Sequence, residues 1–211
     1  MNYDSVPLRD FKELNDWETV IFVYQSALKQ VETKIDILNG EFQHRHKYNP
    51  IEHVKSRIKT PESIVKKLKR HGYESSIENM VRYVNDIAGI RISCSFTSDI
   101  YLIADMISKQ NDLTILARRD YMKNPKKSGY RSYHMLVTTP VFLSDSIIDT
   151  KVEIQIRTVA QDFWATLEHK MHYKFEGDGP DYITKELREC ARYVACLLYT
   201  SDAADDLIGV D

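Results

Sequence analysis

The chain has 211 residues, 43% of them hydrophobic and 28% charged, with 7 Gly and 6 Pro; this suits one medium domain with a sizeable core and excludes a fibrous or disordered chain. The formal net charge is -2, which taken alone speaks against a polyanionic partner. Its distribution does not: residues 55–70 hold seven basic residues and one acidic, and residues 118–131 hold six and one, so two basic segments of +6 and +5 stand on a remainder of -13. Local fields, not the net sum, concentrate anionic ligands.

No apolar run approaches the ~18 residues of a membrane span, and MNYDSVPLRDFKELND has no signal-peptide core. Cys94, Cys190 and Cys196 lack metal-type spacing, as in a protein of the reducing cytosol. A cytoplasmic protein without a membrane partner is expected.

Residues 15–40 read as one long helix, with apolar residues from Trp17 to Leu38 at spacings of three and four. Asn15 or Asp16 can cap it and Gly40 can end it. Its stripe requires a cover, either the domain or a partner subunit. Pro50 then reads as the start of a short helix. Pro61 suits the first turn of a helix over 61–71, which Gly72 stops. From Gly89 the period changes to two: Ile90, Ile92, Cys94 and Phe96 alternate with Arg91, Ser93 and Ser95, as in a strand. A helix follows over 99–110, a strand over 113–119, a basic loop over 120–130 and a strand over 132–139. In the strand 151–157, Val152, Ile154 and Ile156 face one way and Glu153, Gln155 and Arg157 the other. Helices over 160–175 and 184–198 complete an α/β (α+β) arrangement, a mixed sheet with helices on it.

Several short segments carry chemistry. Arg57, Lys59, Ser63, Lys67 and Arg70 combine cations with a hydroxyl. Placed on a helix, Lys59, Ser63 and Lys67 would share a face suited to a polyphosphate, although a solvated basic face would look the same. Asp86, with Arg91 close by, stands where the first strand begins, as a turn residue or a Mg²⁺ ligand. In SGYRSYH, Gly129 permits a tight turn, and Tyr130 beside Lys126, Arg131 and His134 offers a stacking platform near phosphate donors. Glu153 could hold Mg²⁺ or accept a proton. Asp162, Glu168 and His169 could rim a pocket, while Phe163, Trp164, Leu167 and Met171 read as core.

Taken in order, RIKTPESIVKKLKR, NDIAGIRI, SGYRSYH, VEIQIRT and DFWATLEHK resemble the synthetase domain of the Rel-type alarmone enzymes. The resemblance covers roughly residues 15–195 and suggests a small alarmone synthetase, closer to the RelP-like than the RelQ-like branch. It implies a nucleotidyltransferase-like mixed sheet of about five strands. The implied activity moves the β,γ-pyrophosphate of ATP to the 3′-hydroxyl of GDP or GTP, giving AMP and ppGpp or pppGpp in the stringent response. By matching position, Arg57 and Arg91 would sandwich adenine. Lys59, Ser63 and Lys67 would hold the ATP phosphates, with Arg70 close by. Asp86 and Glu153 would bind Mg²⁺, and Glu153 would act on the attacking hydroxyl. Tyr130 would stack on guanine, and Arg119, Lys126 and His134 would contact the acceptor phosphates. Gln155 and Asp162 would help to read the guanine edge.

The resemblance also implies a homotetramer. No histidine is followed by Asp, so the metal-bound His-Asp pair of an alarmone hydrolase is lacking and synthesis alone is expected. The alternative is a non-catalytic nucleotide- or RNA-binding module of the same fold, with RNA a possible partner and DNA not expected. Acids in the centre of the groove would serve a transferase and hinder such a module. The expected division is a helical arm over 1–45, a catalytic domain over 46–180 and a helix over 181–195. Residues 196–211 resemble a non-native tail.

Overall fold

The structure is a computed structural model, and it describes residues 16–175 and 180–208. The start of the expected arm and the end of the expected tail lie outside those residues. The elements run α1 (Trp17–His46), β1 (Ile51–Ile58), α2 (Pro61–Arg70), α3 (Ile77–Tyr83), β2 (Ala88–Cys94), α4 (Thr97–Ser108), β3 (Thr114–Asp120), β4 (Tyr133–Phe142), β5 (Ile147–Thr158), α5 (Val159–Lys174) and α6 (Asp181–Ile208). The strands form one five-stranded sheet in the order β1-β2-β5-β4-β3. Only β2 and β5 pair in parallel, so the sheet is mixed, as expected.

The stripe on α1 finds its cover within the chain. Val20, Val23, Tyr24, Ala27, Leu28, Val31 and Ile35 are buried in one cluster with Ile90 and Ile92 of β2, Val152, Ile154 and Ile156 of β5 and the inner side of α4. Asp16 caps the helix by accepting from the Thr19 backbone N–H at 2.7 Å. Gly40 does not end it. The helix continues to His46, and Lys47 at φ 53° closes it in the left-handed region.

The segment after Pro50 is a strand, not the expected short helix. It begins with a register shift between Ile51 and His53. This bulge places Ile51, Val54 and Ile58 on the more buried side, a spacing of three and four that imitates a helix. The resulting β1 is the fifth strand, an edge whose neighbour is β2. The short α3, capped by Ser76, has too few turns to display a period.

Two local signals bring the chain to the site. Thr60 caps α2, Pro61 occupies its first turn, and Gly72 leaves it at φ 77°. At the end of β5, Thr158 and Gln161 cap each other reciprocally: the Thr158 N–H donates to Gln161 Oε1 at 3.0 Å and the Gln161 N–H to Thr158 Oγ1 at 3.3 Å. This starts α5 directly off the strand that carries Glu153. α6 packs against α5 and continues unbroken through position 196 to Ile208.

Candidate active site

Strand alternation and register assemble the site. With Val152, Ile154 and Ile156 turned into the core, Glu153, Gln155 and Arg157 face away from it. Pairing then aligns residues from all five strands. One row reads Lys55, Arg91, Gln155, His134 and Arg119. The adjacent row reads Arg57, Gly89, Glu153, Leu136 and Ala117. The first row is polar from edge to edge. The second holds one arginine and one carboxylate, separated by the missing side chain of Gly89.

These rows floor a cleft of about 680 Å³ that Asp86, Arg91, Arg119, Lys126, Tyr130 and Glu153 help to line. A side slot of about 210 Å³ opens over Gly89 between Arg57 and Arg91. Two guanidiniums across a gap that a Cβ would narrow suit a flat, polarizable ring.

Asp86 stands on the loop between α3 and β2, opposite Lys59 and Lys67. Lys59 Nζ donates to its Oδ2 at 2.9 Å and Lys67 Nζ to its Oδ1 at 2.7 Å. Burial alone would raise the carboxyl pKa, but these two ammoniums prevail and hold it below the ordinary carboxylate range. Lys59 precedes α2 and is not on its face as expected; the two lysines converge because both reach Asp86. Ser63 and Arg70 are exposed on α2 and are not among the residues that line the cleft, which Lys67 of the same helix reaches. The Asp86 loop has an anchor that the sequence did not single out. Lys151 is buried, and its Nζ donates to Asn85 Oδ1 at 2.9 Å and to the Arg82 carbonyl at 3.2 Å. Burial pushes its pKa down to about 8.

Glu153 lies between His134, whose Nδ1 is 3.6 Å from Oε1, and Gln155, whose Nε2 donates to Oε2 at 2.8 Å. Burial raises its pKa, yet these neighbours bring the net value below the ordinary range. Glu153 is therefore ionised at neutral pH. The other end of the Gln155 amide accepts from Arg157 Nη2 at 3.0 Å. Asp162 Oδ1 lies 3.3 Å from Arg91 Nη1 and 3.3 Å from Arg157 Nε. Gln155 and Asp162, expected at the guanine edge, are thus engaged with other residues of the chain, and Asp162 stands behind the cleft wall. Arg157, only 2% exposed, also lines the cleft, and the family resemblance assigns it no role. Its shared parity with Glu153 was the signal available.

On the opposite side, the β3–β4 connection folds back at Gly129, φ 97°, with the Gly129 N–H bonded to the Lys126 carbonyl at 2.9 Å. Tyr130 Oη is 2.9 Å from His134 Nε2. Lys126 Nζ is 4.6 Å from the Tyr130 ring centroid, and Arg157 Cζ is 5.7 Å from it. Behind the ring, Trp164 and Ala165 of α5 and Ala191 of α6 form a second apolar cluster. Trp164 Nε1 donates to the Leu187 carbonyl at 2.7 Å, locking α5 to α6. Glu168 and His169 line the cleft, as their expected place on its rim requires.

Comparison with known proteins agrees with this architecture. Residues 56–178 match a family described as the region found in RelA / SpoT proteins. The chain is 47% identical over 178 residues to the GTP pyrophosphokinase YwaC of Bacillus subtilis (strain 168), covering 84% of this chain and 85% of that protein. It superposes on the crystal structure of small alarmone synthetase 2 from Bacillus subtilis with a TM-score of 0.82 at 43% identity, over 90% of this chain and 99% of that one. Small alarmone synthetase 1 from the same species, bound to its product pppGpp, superposes with a TM-score of 0.84 at 32% identity, over 92% and 98% of the two chains.

Proposed function

The chain belongs to the family of RelA / SpoT proteins, and from that premise we propose that it is a small alarmone synthetase: it transfers the β,γ-pyrophosphate of ATP to the 3′-hydroxyl of GDP or GTP, releasing AMP and forming ppGpp or pppGpp. One observation carries this reading. A single cleft has cations on both sides and two ionised carboxylates between them. Two polyphosphates need the cations to approach one another. A groove that merely gripped a polyanion would gain nothing from the acids.

Adenine enters the slot between Arg57 and Arg91, and its phosphates draw Lys59 and Lys67 from Asp86. Guanine stacks on Tyr130, and Lys126 turns from that ring to the acceptor phosphates with Arg119 and His134. Glu153, held by Gln155 and His134, accepts the hydrogen bond of the 3′-hydroxyl and so orients it toward the β-phosphorus. A bond forms from the 3′-oxygen to that phosphorus, the bond from the β-phosphorus to the α-phosphate oxygen breaks, and AMP leaves with the electron pair. The hydroxyl proton passes to Glu153. Such transfers rest mainly on positioning and charge neutralisation.

The donor set also fits Mg²⁺. Asp86 and Glu153 offer hard, ionised oxygens on one cleft, and two carboxylates with substrate phosphates are the usual protein share of such a site. When bound, the ion would neutralise charge developing on the phosphates. Phe163 and Leu167, expected in the core, are exposed instead, and the expected homotetramer draws support from them: with Val159 they stand four apart on α5, and Tyr193 and Leu197 are exposed on α6. Among the described residues no helix is long and apolar enough to cross a membrane.

Incubating the protein with ATP, GDP and Mg²⁺ tests the activity. AMP and ppGpp should appear in equal amounts on anion-exchange chromatography. Absence of both from folded protein would overturn the assignment.

A further inference from the structure

We propose that Asp162 is a positioning residue that couples the donor and acceptor base sites, rather than a contact to the guanine edge; this rests on the proposed synthetase activity. Its Oδ1 stands 3.3 Å from Arg91 Nη1 and 3.3 Å from Arg157 Nε. Arg91 is one wall of the donor slot. Arg157 lies over the Tyr130 ring on the acceptor side. One carboxylate therefore sets the guanidinium of both sites.

Burial makes the arrangement consequential. The Asp162 side chain is 15% exposed and that of Arg157 2%. Arg91 Nε, Arg157 Nε and Asp162 Oδ1 are closed to solvent and have no aligned hydrogen-bond partner. This oxygen is the anion that both guanidiniums share, and without it two like charges would face each other in the wall of the cleft. The contact also continues to the reacting group. Arg157 donates to Gln155 at 3.0 Å, Gln155 donates to Glu153 at 2.8 Å, and Glu153 is 3.6 Å from His134. A shift of Arg91 on filling the donor slot can thereby move Arg157 and Glu153 through shared contacts. Asp162 starts this line because Gln161, one residue earlier, caps α5 and fixes the first turn against β5.

The test measures calorimetric affinities of the full-length chain for a non-hydrolysable methylene-bridged ATP analogue, GDP and IDP, the last lacking the guanine 2-amino group. Asp162→Asn keeps the shape and removes the charge. It should weaken the ATP analogue and GDP each by about tenfold, the scale of one charge-assisted contact, and weaken IDP by the same factor as GDP. In an Arg91→Lys background, its effect on the analogue should largely vanish while its effect on GDP persists. A loss confined to GDP, with IDP and the ATP analogue unchanged, would mean that Asp162 reads the guanine edge and would overturn the proposal. Unchanged affinity for all three would overturn it as well. If circular dichroism shows Asp162→Asn unfolded, Asp162→Glu is judged by the same criteria, since it retains the charge and displaces both arginines. A wild-type chain that binds neither nucleotide would sink the synthetase reading itself, whereas intact wild-type synthesis with an indifferent Asp162→Asn sinks only the coupling.

Discussion

Gly129 passes so close beneath Ala191 that a Cβ at position 129 would lie 2.6 Å from the Ala191 Cβ. The loop that presents Tyr130 is thus seated directly on α6. The φ of 97° at Gly129 is in addition one that side chains rarely adopt. Gly129→Ala should cost about 1–3 kcal/mol of stability and raise the KM for GDP more than that for ATP. Thermal melts and separate substrate titrations check this; equal KM changes would show that the loop serves both substrates alike.

Removing the negative charge at Glu153 while keeping its shape should stop the reaction. For Glu153→Gln, AMP formation should fall by roughly 10² or more, the scale of a lost proton acceptor. GDP binding should remain largely intact, because base and phosphates are held elsewhere. Normal ppGpp yield from the purified variant would remove Glu153 from the chemistry.

Tyr130→Ala deletes the acceptor platform. Stacking of a base on an aromatic ring is worth about 1–3 kcal/mol, so GDP and GTP should bind roughly tenfold or more weakly while ATP changes little. Equilibrium titrations that show equal losses for donor and acceptor would contradict the assignment of guanine to this ring.

Lys151 offers a test remote from both nucleotides. Its ammonium holds Asn85 and the Arg82 carbonyl, and with them the Asp86 loop. Lys151→Met keeps the aliphatic stem but leaves both acceptors without this donor. The expected result is a kcat lowered several-fold, with a cost of about 1–3 kcal/mol in stability from the orphaned oxygens. Steady-state kinetics and chemical denaturation read the two effects; an unchanged kcat would show that the loop keeps its place without the lysine.

At high pH the acceptor loop has a specific weakness. Burial, aided by the negative charge of Asp120, pushes the Tyr101 hydroxyl up to about 12, and this hydroxyl donates to Asp120 Oδ2 at 3.2 Å. Asp120 also accepts from the Met122 and Lys123 N–H groups, which turn the chain into the basic loop. The folded state holds the Tyr101 proton more tightly than the unfolded state, whose tyrosines titrate near 10. Its stabilising contribution is therefore complete below pH 10 and is lost as pH rises through 12. Tyr101→Phe should flatten that part of the stability–pH curve, as followed by urea unfolding at several pH values. An unaltered curve would assign the alkaline loss to other groups.

Much of the framework was legible residue by residue. The alternation in VEIQIR separates core from cleft before any partner strand is known, because successive strand residues point to opposite faces. The two basic segments and the ordered motifs likewise identify a synthetase-like chain. Reading failed where the local pattern was misleading or short. A bulge gave β1 the spacing of a helix, seven residues gave α3 too little length for a period, and Gly40 lies within a helix that continues past it.

The sequence by itself determined which residues could bear charge toward a nucleotide and which had to be buried, since those properties belong to single side chains and to the period of one element. Only the tertiary structure decided their company. Arg57, Gly89 and Glu153 become one row through strand pairing, Lys59 and Lys67 meet on Asp86, and Asp162 stands between Arg91 and Arg157. Register and ion pairing join residues distant along the chain, and packing of α1, α5 and α6 on their separate surfaces holds those pairings in place.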